Sequence, residues 1–281
     1  MNIENSFGTL YIVATPIGNL EDITFRAVKV LKQVDLIAAE DTRHSKKLLS
    51  HYDIKTKLVS CHEHNEINKT PQFITYLKNG LDIALISDAG TPSISDPGYK
   101  LVTAVAKEKL PIIPIPGCSA AIAGLSVSGL PTDSFLFLGF LPKKQQKQQQ
   151  AIKSILNQSA TLIFYESPRR IIALIDRMRD IMGDRKACLA REITKLHEEY
   201  IRGNLSDIQK TLEEKEIIKG ECSLFVQGLL EQKIINEEQI EKIVCKRLAT
   251  TDLGTSDLAR QISKEFNLSK KKVYDIILKF N

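Results

Sequence analysis

Over its first 116 residues the chain alternates short apolar runs with longer amphipathic segments, and this alternation constrains the fold more than any other feature. Runs of four or five apolar residues bounded by turn formers read as buried strands. The segments between them have helical spacing, so the pattern is that of βα units feeding a largely parallel sheet. It predicts strands from Leu10 to Ala14, Leu36 to Ala39, Lys57 to Cys61, Ile83 to Ser87 and Ile112 to Ile115. Between Asp96 and Lys109, Leu101, Val102, Val105 and Ala106 recur at helical spacing while Lys100, Lys107 and Glu108 face water.

After Pro116 the runs look more alternating or paired, predicting strands from Phe135 to Phe140, Thr161 to Tyr165, Lys186 to Arg191, His197 to Arg202 and Ser223 to Gln227. Helices are expected from Lys144 to Asn157, Pro168 to Met182 and Ser206 to Glu214, which gives a mixed α/β second domain. The run KKQQKQQQ from Lys143 reads as a solvated helix start rather than an RNA arm, because glutamines carry no charge to pair with phosphate. From Asn236 the pattern is purely helical. Ile240, Ile243, Val244 and Leu248 form one stripe, Leu258, Ile262 and Phe266 a second behind Ser256 as N-cap, and Val273, Ile276 and Ile277 a third. With a tight turn at Asn267 to Ser269, these helices have the layout of a helix-turn-helix or of a small capping bundle. The expected domains are therefore 1–116, 117–230 and 236–281.

A chain of 281 residues has room for two compact units and an appendage. Hydrophobic residues at 43% and charged residues at 26% exclude a disordered or fibrous chain. The net charge of +5 is too small for binding nucleic acid through bulk charge, so any such contact is local. The one local concentration lies between Arg260 and Asn281, where six basic and two acidic residues fall and Lys270, Lys271 and Lys272 open the last helix. A helix start already favours phosphate. The longest uncharged stretch, Leu110 to Thr132, is broken by four prolines and three glycines and is not read as a membrane span. No basic segment precedes an apolar run at the start, and five cysteines without a CxxC pair fit a reducing compartment, so a soluble, cytoplasmic protein is expected.

Four turns follow predicted strands, where open α/β sheets bind ligands. They are Thr15-Pro16-Ile17-Gly18-Asn19-Leu20, Glu40-Asp41-Thr42-Arg43, Ser87-Asp88-Ala89-Gly90-Thr91-Pro92 continuing to Gly98, and Pro116-Gly117-Cys118-Ser119-Ala120. Their small residues let a ligand approach the backbone and its free amides. There is no GxGxxG after the first strand and no GxxxxGK[ST] anywhere, which removes the main support for dinucleotide and P-loop readings. Glu40 and Asp41, beside Arg43, are candidates for proton acceptance or for orienting a ligand hydroxyl, as is the Lys195/Glu198/Glu199 group; structural pairing of these charges is the competing reading. Arg169 and Arg170 at a helix start are phosphate candidates, or else solvated or inter-subunit residues. Cys61-His62-Glu63-His64 has zinc-ligand chemistry without zinc-ligand spacing or a second cluster, so His62 and His64 read as polar or RNA-facing residues at a strand end and no metal is expected.

The motifs YIVATPIGNLEDIT (Tyr11 to Thr24), AAEDTR (Ala38 to Arg43), SDAGTPSISDPG (Ser87 to Gly98), GFLP (Gly139 to Pro142), FYESPRR (Phe164 to Arg170) and ARE.TK..EE (Ala190 to Glu199) resemble, in order and spacing, the ribosomal small-subunit methyltransferase I family of the tetrapyrrole-methylase superfamily. The resemblance spans essentially the whole chain; Cys118 departs from it, standing where relatives have proline. It implies the tetrapyrrole-methylase fold, with two α/β domains clasping S-adenosylmethionine in their cleft, and a homodimer that methylates the 2′-hydroxyl of a cytidine near the decoding centre of 16S rRNA. By the same resemblance Pro16, Gly18, Ser87, Asp88, Ala89, Gly90, Ser119, Ala120 and Tyr165 line the cofactor pocket. Arg43, Arg169, Arg170, Lys195, Lys270, Lys271 and Lys272 are the expected RNA contacts. Methylation of a tetrapyrrole precursor is the nearest alternative, and a non-catalytic nucleic-acid-binding regulator built around the tail is an alternative of a different class.

Overall fold

Each strand expected in the first 116 residues forms to within one residue of its predicted bounds: β1 (Leu10–Val13), β2 (Leu36–Ala39), β3 (Lys57–Ser60), β4 (Ile83–Ile86) and β5 (Ile112–Ile115). The structure is a computed structural model that describes residues 7–229, 237–251, 253–266 and 268–280. Helices α1 (Phe25–Gln33), α2 (Thr42–His51), α3 (Glu66–Lys78) and α4 (Tyr99–Lys107) connect the strands in turn. The sheet is parallel throughout, in the order β3-β2-β4-β1-β5. All four residues of central β4 are buried because both faces are covered. Ile83 and Leu85 pack with Phe73, Leu77, Leu101 and Val105 of α3 and α4, and Ala84 and Ile86 with Ala27, Leu31 and Leu49 of α1 and α2. Each large side chain buried in this way contributes roughly 1.5–3 kcal/mol.

Helix α5 (Ala120–Ser128) leads from this sheet to the second one. There β6 (Phe135–Phe140), β7 (Thr161–Glu166), β8 (Lys186–Arg191), β9 (Glu199–Asn204) and β10 (Cys222–Val226) lie in the order β6-β7-β10-β8-β9, parallel only between β6 and β7. Residues of α6 (Gln145–Ser154), α7 (Ile171–Met182) and α8 (Leu205–Glu213) share one core with this sheet, while α5 packs with Ile163, Cys188 and Phe225 in another. A Cβ on Gly124 would stand 2.4 Å from Cζ of Phe225, so the helix sits this close only because that position has no side chain.

Two expectations shift. Strand β9 begins at Glu199 rather than His197, because the preceding residues form a tight loop in which Glu192 and Thr194 take positive φ and the Glu198 amide donates to the Lys195 carbonyl. The glutamine run is not wholly solvated: Gln148 is buried and accepts from Arg177 of α7.

Contacts divide the chain into Met1–Gly228, which contains both sheets, and Leu229–Asn281. The second unit consists of α9 (Glu237–Leu248), α10 (Thr255–Phe266) and α11 (Lys270–Leu278) around Ile240, Val244, Leu258, Ile262, Val273 and Ile277. Ser256 does not cap α10, which starts one residue earlier and places the Gly254 carbonyl to accept from Leu258. Ser269 caps α11, and Lys270, Lys271 and Lys272 stand exposed on its first turn; Asn267 of the expected tight turn lies outside the described residues. Among the described residues no helix is long and apolar enough to cross a membrane.

Candidate functional site

The loops at the C-terminal edge of the parallel sheet are stitched to one another. Beyond β1, the Thr15 amide donates to the Gly90 carbonyl at 2.9 Å and the Gly90 amide returns the bond at 3.0 Å. Thr15 Oγ1 reaches the Ser87 carbonyl at 3.1 Å, and Thr91 Oγ1 the Cys118 carbonyl at 3.2 Å. The β4 loop from Ser87 to Gly98 holds Gly90, Ser93, Ser95 and Gly98 at positive φ. Two of these are serines, which bear strain there, and such strain concentrates at binding sites.

These loops form one wall of a cavity of about 330 Å³; Tyr165 and Glu166 from the end of β7, with Glu221 and Cys222 at the start of β10, line it on the side of the second sheet. The Tyr165 hydroxyl accepts from the Ala121 amide in the first turn of α5 at 3.0 Å, and its ring meets those of Phe137 and Phe140 edge-on. Burial pushes the Tyr165 phenol above its ordinary pKa. Among the described residues three acids line the cavity, Asp96, Glu166 and Glu221, and no lysine or arginine does. The Glu166 side chain is fully buried; its Oε1 takes the Ser167 amide and the Arg170 guanidinium, but its Oε2 has no partner. Its acids make this wall suit a ligand that brings an N–H or a positive charge and make it hostile to phosphate.

On the other side of the β4 loop, beyond β2, β3 and β4, lies a second cavity of about 500 Å³ lined by Glu40, His62, His64, Asp96, Tyr99 and Lys100 among others. Glu40 is partly buried there and accepts from the Asp88 amide at 3.4 Å; burial first, then Asp88 and Asp41, raise its pKa. Neighbouring Asp41 goes the opposite way. It caps α2 through the Arg43 amide at 2.8 Å and pairs with the Arg43 guanidinium at 2.9 Å, which holds its carboxyl down at about 2. Burial drives the Asp96 carboxyl up to about 6, the charges of Glu40 and Asp88 add to the rise, and a hydrogen bond with Ser87 opposes it.

Of the residues expected to line a cofactor pocket, Ala89, Gly90, Ser119, Ala120 and Tyr165 come together on the first cavity. Pro16, Gly18, Ser87 and Asp88 stand outside its lining: Pro16 is buried, Gly18 packs on Thr194 and Lys195, Ser87 is buried with its hydroxyl on the Ala89 carbonyl, and Asp88 accepts from the Asp41 amide and so ties β2 to β4. Among the expected phosphate contacts, Arg43 is exposed beside Asp41 and Arg169 is exposed, whereas Arg170 is tied to Glu166 and Lys195 bridges Glu192 and Glu221 at 2.9 and 3.1 Å. Lys195, Glu198 and Glu199 do not act as one group, since Glu199 pairs with Arg191 and Lys215. In the Cys61-His62-Glu63-His64 run the thiol is buried and pushed up to about 11, and among the described residues no group of three His, Cys, Asp or Glu side chains could hold a metal ion. Sequence reasoning missed Asp96, Glu166, Glu221 and Phe140 as lining residues. Their motifs were visible, but nothing local marks a turn aspartate or a strand-end glutamate as buried on a cavity.

The family model for tetrapyrrole (corrin/porphyrin) methylases matches residues 9–209. The chain is 46% identical over 273 residues to a protein of Halalkalibacterium halodurans named ribosomal RNA small subunit methyltransferase I, covering 96% of this chain and 94% of that one. It is 40% identical to the Bacillus subtilis protein of the same name, over 98% of this chain and 95% of the other. Among solved structures, diphthine synthase superposes with a TM-score of 0.62 at 14% identity, covering 79% of this chain and 90% of that one, a likeness of fold.

Proposed function

The chain belongs to the tetrapyrrole methylase family, and from that premise we propose that it transfers a methyl group from S-adenosylmethionine to the RNA of the small ribosomal subunit, at the ribose 2′-hydroxyl of a cytidine near the decoding centre of 16S rRNA. The observation that carries the reading is the first cavity. In a chain whose relatives are named for ribosomal RNA methylation, it offers carboxylates and aromatic faces and, among the described residues, no lysine or arginine. When bound, S-adenosylmethionine supplies a methyl group on a positively charged sulfur. Phe140 and Tyr165 offer ring faces suited to that charge, and Asp96 and Glu221 are carboxylates that can accept from a ligand amine. Ala89, Gly90, Ser119 and Ala120 let the ligand lie against the backbone, with Pro16, Gly18, Ser87 and Asp88 holding those turns in place.

Glu40 does the polar work at the ribose, while Asp41 is committed to Arg43 and to the start of α2. Arg43 and Arg169, and in the second unit Lys270, Lys271 and Lys272, supply phosphate contacts, whereas Arg170 and Lys195 are held in ion pairs. Alignment contributes the larger share of the rate, roughly 7–11 kcal/mol, against roughly 3–5 kcal/mol for a proton acceptor. The protein acts as a homodimer in the cytoplasm; exposed Phe25 and Leu196 are apolar surface that a second copy would cover. Titration calorimetry with S-adenosylmethionine, followed by incubation with labelled donor and unmodified small subunits and mass-spectrometric mapping, tests the reading. Binding with one methylated ribose is expected; absence of binding, or a methyl group on a base, overturns it.

A further inference from the structure

The β4 loop divides the C-terminal edge of the parallel sheet into two rooms. On one side, beyond β1, β4 and β5, lies the cavity assigned to the methyl donor; on the other, beyond β2, β3 and β4, lies the cavity containing Glu40 and the two histidines. Among the described residues only Ser95 and Asp96 line both. Methyl transfer needs donor and acceptor in line and in contact, so the acceptor atom must meet the donor at a place both ligands can reach.

The second room has the chemistry of a nucleotide site. Carboxylates on its inner wall are acceptors for sugar hydroxyls, His62 Nδ1 is buried without a partner, and Tyr99, 70% exposed at the mouth beside exposed Lys100, offers a stacking face next to a cation for the backbone. Phosphates would stay at this rim, away from the acids inside.

We propose that the acceptor nucleotide enters this second room and that Asp96, in the wall common to both rooms, takes the proton of the ribose hydroxyl that is methylated. The inference rests on the methyltransferase reading above. As the hydroxyl oxygen forms its bond to the methyl carbon, the bond from that carbon to sulfur breaks, its electron pair goes to sulfur, and the hydroxyl proton goes to an Asp96 carboxylate oxygen and thence to solvent. Glu40 and Asp88 face Asp96 from the first sheet, with Ser87 hydrogen-bonded to it. The β3 loop brings His62 and His64 to the room, α4 brings Tyr99 and Lys100, and the second sheet brings Tyr165, Glu166 and Glu221 to the far side. The pKa of about 6 leaves Asp96 ionised above neutrality while making it a better base than an ordinary aspartate.

The test measures methyl transfer to unmodified small subunits with saturating S-adenosylmethionine across pH 5 to 9, with donor affinity by calorimetry. Wild-type rates should rise through about pH 6 as Asp96 ionises. Asp96→Asn should bind donor within a few-fold of wild type, lose roughly 100-fold or more in kcat, and lose the acid limb of the profile. Glu40→Gln should keep the limb, and Tyr99→Ala should raise KM for the subunit several-fold without changing donor affinity. An Asp96→Asn enzyme that keeps both its rate and its acid limb overturns the assignment of the base, and an unchanged KM in Tyr99→Ala overturns the assignment of the room. Wild-type protein that binds donor yet methylates no ribosomal RNA overturns the function and this inference together.

Discussion

Asp96 is held against its own stability. A carboxyl whose pKa is higher in the folded chain than in the unfolded one binds its proton more readily when folded; its contribution is complete below about 3.8 and drains away as pH rises through about 6. Replacing it by asparagine, which cannot charge, should therefore raise the melting temperature at pH 7.5, and the gain should shrink towards zero by pH 4 in calorimetric scans. A second residue-scale expectation concerns Tyr165: Tyr165→Phe removes the acceptor for the Ala121 amide, costing roughly 1–3 kcal/mol in denaturant titrations, and should also weaken S-adenosylmethionine binding. Glu40 and Asp41 were legible as candidates because adjacent carboxylates beside an arginine carry their chemistry locally. Their opposite environments were not, since one depends on burial at a strand end and the other on a helix cap. Asp96 was illegible for a related reason: Ser-Asp-Pro-Gly is complete as turn chemistry, and what changes its carboxyl is first its burial and then the charges of Glu40, just after β2, and Asp88 of its own loop.

The strands of the first sheet were read almost to the residue because burial on both faces imposes continuous apolar runs; of its crossover helices only α4 was read from its stripe, α1, α2 and α3 being left as amphipathic segments without bounds. The second sheet was equally readable except at β9, whose start is set by backbone at positive φ in non-glycine residues, a conformation no pattern of hydrophobicity signals. What periodicity could not show is how closely elements approach. Helix α5 has almost no polar face, and its distance from β10 is governed by Gly124. Gly124→Ala should force the new methyl group into the Phe225 ring and destabilise the protein by roughly 1–3 kcal/mol, lowering the melting temperature by several degrees. A variant that melts with the wild type would show that the helix can withdraw without cost.

Across the molecule charge is modest, and the exposed run at Lys270, Lys271 and Lys272 is its clearest local excess. Changing all three to glutamate should leave S-adenosylmethionine affinity untouched, weaken binding to the small subunit, and reduce the slope of log affinity against log salt by about 3, near one per lysine. An unchanged slope in filter-binding assays would remove the tail from the RNA interface. The loop from Ser87 to Gly98 has a consequence for the order of events. A partition with one ligand on each side lets either arrive first, because neither blocks the other's entrance. Each ligand should then bind the free protein with the other absent, the donor by calorimetry and the subunit by filter binding, whereas compulsory addition would leave one of the two without affinity until the other has bound.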